Sequence, residues 1–101
     1  MEKTEKKRLF KQIMWDYNIP PEDIEAVFEG KQTHAGHYTR DTLFLKLLES
    51  YSWFTILQLF PINEIQDLLT SSTISKLRSK SLRKKYEFVQ QRLLEIIPTS
   101  R

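Results

Sequence analysis

The sequence predicts an all-α protein, one domain of six to seven short helices packed around a buried central helix at about residues 40–50. Three observations carry that reading. Apolar residues recur at intervals of three and four along most of the chain. The two glycines and four prolines all fall where helices would begin or end. No stretch alternates polar and apolar residues for long enough to make a strand, and the aromatic-rich segment 52–60 is the single place where a strand is a defensible alternative.

Taken in order, Leu9, Phe10, Ile13, Met14 and Tyr17 have helical spacing with Lys and Gln between them, and Pro20-Pro21 breaks that helix. Proline is tolerated at the first helical position, so the same pair opens a second helix. Glu22 and Asp23 then lie in its first turn, where the helix dipole favours carboxylates. Ile24, Val27 and Phe28 form the inward stripe, and Gly30 is the natural stop. Residues 30–38 are polar and irregular. Thr39 is placed to cap the central helix, with Asp41 in its first turn. Leu43, Phe44, Leu45, Leu47 and Leu48 then leave no polar side except Lys46, and a helix that is apolar all round is a buried one. Ser52 can cap a segment whose apolar residues are Phe54, Ile56, Leu57 and Phe60. Pro61 restarts the chain with Ile62, Ile65, Leu68 and Leu69 on one face. Residues 70–72 form a turn with a capping serine ahead of Ile74 and Leu77. Ser79 or Ser81 caps the last helix, which turns Leu82, Tyr86, Val89, Leu93 and Ile96 or Ile97 inward and ends before Pro98. The domain spans 1–101, with 1–5 and 98–101 expected to fray.

A 101-residue chain with 40% hydrophobic and 12% aromatic residues can build one core, burying roughly 65% of its unfolded surface. There is no cysteine, which excludes a disulfide framework, thiolate metal sites and a cysteine nucleophile. The charged N-terminus has no apolar segment of the secretory type behind it, and no apolar run approaches the roughly 18 residues of a membrane span. A soluble cytoplasmic protein, away from the membrane, is expected.

Charge is distributed unevenly. Residues 70–101 hold eight Lys/Arg against two Glu, whereas residues 1–69 hold eight against eleven Asp/Glu. Most of the excess lies in 76–85, where Lys76, Arg78, Lys80, Arg83, Lys84 and Lys85 occur with no acid. A patch of one sign attracts polyanions and acidic surfaces. On a helix starting near Lys80, residues Lys80, Arg83, Lys84 and Glu87 share a face opposite Leu82, Tyr86 and Val89. Lys76 and Arg78 extend that surface, which suits phosphates because each neutralised phosphate releases counterions. The acidic positions Asp16, Glu22, Asp23, Glu25 and Glu29 read as a solvated face and a helix start, able also to pair with the basic tail within one molecule or across a homodimer.

Other motifs are weaker. Residues 64–76 look like the core of a helix-turn-helix, in which an E-I-x-x-L-L helix precedes a T-[IV]-S-K recognition helix. The turn is about two residues short, and at about 100° per residue this rotates Ser75 and Lys76 away from the groove. His34 and His37 lie near Asp41, but a zinc site usually needs three or four ligands on rigid elements. The stripe Leu82, Tyr86, Val89, Leu93, Ile96 has coiled-coil spacing over only about two heptads, so it is expected to pack on the chain's own core. No paired carboxylates, serine–histidine arrangement or glycine-rich phosphate loop is present, so a non-enzyme without metal or cofactor is expected. Trp15, Tyr17 and Tyr38, with Trp53 second, are the aromatics that would anchor a protein partner.

Several segments together have a family character: Trp15-Asp16 after a short helix, Thr39-Arg40-Asp41 opening the central one, Leu48-Glu49, the stretch 53–60, and Leu77-Arg78-Ser79-Lys80-Ser81-Leu82-Arg83. They resemble a family of small bacterial helical domains of unknown function, whose members are similar to proteins encoded beside nucleotidyltransferase toxins of the abortive-infection type. The resemblance spans roughly residues 13–93. It implies a bacterial, antitoxin-like or accessory protein and supplies no catalytic residues. Two functions are expected from the sequence: a non-enzymatic interaction module for a protein partner, or a small DNA- or RNA-binding regulator using 76–85.

Overall fold

Local side chains decide where most of the helices start. The computed structural model describes residues 3–14 and 19–96. Among them the elements are α1 (Lys3–Met14), α2 (Pro21–Phe28), β1 (His34–Ala35), β2 (Tyr38–Thr39), α3 (Arg40–Ser50), α4 (Trp53–Leu59), α5 (Ile62–Leu68), α6 (Ser71–Ser75) and α7 (Lys80–Ile96). The protein is all-α apart from one minimal hairpin. Trp15, Asp16, Tyr17 and Pro98 lie outside the described residues.

Thr39 caps α3 through a reciprocal box with Thr42, whose hydroxyl accepts from the Thr39 backbone N–H at 2.8 Å. Ser52, Thr70 and Ser79 each accept from a backbone N–H three residues on, starting α4, α6 and α7. Thr70, not a serine, is the cap of α6, and Ser71 and Ser72 belong to that helix. α2 and α5 start on Pro20 and Pro61 without a side-chain cap. At the end of α2 the Lys31 N–H reaches the Ala26 carbonyl at 2.8 Å and the Gly30 N–H reaches Val27 at 3.2 Å, with Gly30 at φ +81°. This closure needs a left-handed residue, which glycine supplies without strain.

The polar stretch 30–38 is not wholly irregular. Its end pairs antiparallel with the residues leading into α3, His34 with Thr39 and Ala35 with Tyr38, around the two-residue loop Gly36-His37. Gly36 has φ +62°, as the first central position of a tight hairpin turn requires. A Cβ there would also stand 2.9 Å from Ile19 Cδ1.

α3 is the centre, with Leu43, Phe44, Leu47 and Leu48 all buried. Ile24 and Val27 of α2, Ile56 and Leu59 of α4, Ile65 and Leu68 of α5, Ile74 of α6 and Tyr86 and Leu93 of α7 complete one core. Tyr51, at the end of α3, donates its hydroxyl to the Leu9 carbonyl at 2.7 Å and ties α1 down. The inward stripe of α7 packs on this core, as its spacing suggests, with Leu82 and Val89 partly buried against it. Three of the apolar positions of α4 and α5, Phe54, Leu57 and Ile62, face out instead. Phe54 is 79% exposed and Ile62 43% exposed, because α4 and α5 are single-sided helices of seven residues whose inward sides are taken by Ile56, Leu59, Ile65 and Leu68.

Tyr86 is fully buried, and its hydroxyl has no hydrogen-bond partner among the described residues. Burial holds its pKa above the ordinary 10.0, and burial does the same for Tyr51 against the opposing charge of Arg8. The unfolded chain releases these protons near pH 10 while the folded chain retains them. Their share of stability is therefore whole below about pH 10 and is lost as pH rises through the folded values. Tyr86→Phe is expected to stabilise by about 1 kcal/mol at neutral pH, since it removes an unsatisfied buried hydroxyl, and to flatten the alkaline decline. Denaturant titrations near pH 7 and near pH 10.5 check both.

Candidate interaction surface on the last helix

α7 is amphipathic by sequence, and the core fixes which side faces out. With Tyr86 and Leu93 buried, residues 84, 85, 88, 91, 92 and 95 form an exposed band. Phe88 sits in the middle of that band and is 64% exposed. The Arg92 guanidinium lies over its ring at 5.9 Å and also bonds Glu95 at 3.4 Å. Lys84 and Lys85 occupy the turn before it, with the Lys85 ammonium 5.5 Å from the Tyr86 ring. An apolar ring rimmed by cations is therefore displayed on the outward side of α7.

The basic residues of 76–85 separate into two groups. Lys76, Arg78, Lys80, Lys84 and Lys85 are exposed. Arg83 is turned partly inward: its guanidinium donates to the Leu77 carbonyl and, at 3.4 Å, to that of Arg78. Those carbonyls belong to the loop between α6 and α7, so Arg83 holds the loop in place and differs from its neighbours. The Arg78 backbone N–H is likewise fixed, donating to the Glu49 carboxylate at 3.2 Å. Gln90 donates to the Leu69 carbonyl at 3.0 Å and locks α7 to the end of α5.

The predicted aromatic anchors fare differently. Trp53 is half-buried, packed on the core with its ring edge-on to Tyr86 at 6.1 Å. Tyr38 is half-buried against the same core. Trp15 and Tyr17 lie outside the described residues. Among the described residues the phenyl rings that stand in solvent are Phe54 and Phe88, with Leu57, Ile62 and Leu94 also exposed. The signal that could have found Phe88 is its position two residues after Tyr86, about 200° around the helix from the inward stripe.

The remaining motifs carry little. α6 has only five residues, with Thr73 and Ile74 buried, so it is too short to serve as the recognition helix of a helix-turn-helix. His34 and His37 are both exposed on the hairpin, and the His34 ring bonds the Thr33 hydroxyl at 3.0 Å. Among the described residues no group of three His, Asp or Glu side chains is assembled to hold a metal ion. Glu22 pairs with Lys7 at 3.7 Å and Glu29 with Lys31 at 2.8 Å, partners outside the basic tail. No described helix is long and apolar enough to cross a membrane. No family model matches the sequence, and no curated protein or solved structure shows a significant similarity to it.

Proposed function

We propose that this chain is a non-enzymatic interaction module that docks on an acidic surface of a protein partner through the outward face of α7. The observation that carries this reading is Phe88, 64% exposed with a cation over its ring and two more on the preceding turn. Aromatic and arginine side chains dominate the energetics of protein interfaces, and flanking cations select acidic surroundings. The resemblance of residues 13–93 to proteins encoded beside nucleotidyltransferase toxins makes such a neighbouring enzyme the first partner to test, with an antitoxin-like or accessory role.

A second reading, contact with DNA or RNA, is favoured by the exposure of Lys76, Arg78, Lys80, Lys84 and Lys85 along one stretch. Salt separates the two. Binding of the purified chain to the neighbouring enzyme, measured from low to high salt, is expected to weaken modestly. Binding to duplex or single-stranded probes through three or more phosphates falls with a slope near −3 or steeper, about −0.9 per phosphate. Lys80→Glu with Lys84→Glu would abolish nucleic-acid binding while leaving the helix folded. Absence of a complex with the enzyme, together with salt-steep binding to the probes, would establish the second reading and end the first.

A further inference from the structure

We draw no further inference here: the strongest candidate, the exposed apolar patch of Phe54 and Leu57 on α4 and Ile62 at the start of α5, carries nothing because nothing in the structure shows what covers it.

Discussion

Truncating Phe44 to alanine is expected to cost about 3–5 kcal/mol, a large part of the roughly 5–15 kcal/mol that holds a domain of this size together. The side chain is fully buried in α3, and its ring meets that of Phe60 edge-on at 5.8 Å. Its removal would take away packing on the helix around which the others are built. Leu47→Ala and Leu48→Ala, on the same buried helix, are expected to cost about 2–5 kcal/mol each. Phe54→Ala provides the contrast, because its ring is 79% exposed, and should change stability by no more than about 0.5 kcal/mol. Urea titrations followed by circular dichroism measure all four. A Phe44→Ala cost below about 1 kcal/mol would contradict the central placement of α3.

The second large effect is on binding. Phe88→Ala is expected to weaken the protein complex by about 2–4 kcal/mol, the range of an interface hot spot, while leaving the unfolding midpoint nearly unchanged. Tyr86→Ala, two positions earlier and fully buried, should show the reverse pattern and destabilise the fold by about 3–5 kcal/mol. Measuring affinity and stability on both variants separates a docking residue from a packing residue. If Phe88→Ala binds as tightly as the parent while Lys84→Glu with Lys85→Glu abolishes binding, the interface is one of charge alone.

The helix starts were legible in the sequence because they are local events. Thr39 and Ser52 reach a backbone N–H only three residues away, a spacing that can be read without knowing the fold, whereas at α6 the cap is Thr70 and not one of the serines after it. The buried centre was equally plain, since a helix with apolar residues on nearly every side has one place to go. What could not be read was orientation. Trp53 and Phe54 are adjacent aromatics at the start of α4, separated by about 100° around the helix, and only the placement of α4 against Tyr86 decides that Trp53 packs while Phe54 faces water. Ile62 shares this ambiguity. Arg83 looks in sequence like the five other bases of 76–85, because its target, a pair of loop carbonyls, carries no sequence signal. The hairpin leaves no mark in the sequence, because strands of two residues have no periodicity. Phe10, Phe28 and Phe60 are far apart in the chain, and only the packing of α1, α2 and the end of α4 brings their rings together.

The lengths of the helices also bear on how the molecule opens. α4, α5 and α6 have seven, seven and five residues, well under the roughly 12–15 at which an isolated helix persists in water. None of them can survive once its neighbours leave, so their amide hydrogens should exchange with deuterium together, at the rate set by opening of the whole domain. α7, with 17 residues, is long enough to retain helical turns by itself. Opening of the rest of the molecule would thus leave some helical turns around Phe88 in place. A partner could then capture those turns before the remaining helices have reassembled behind them.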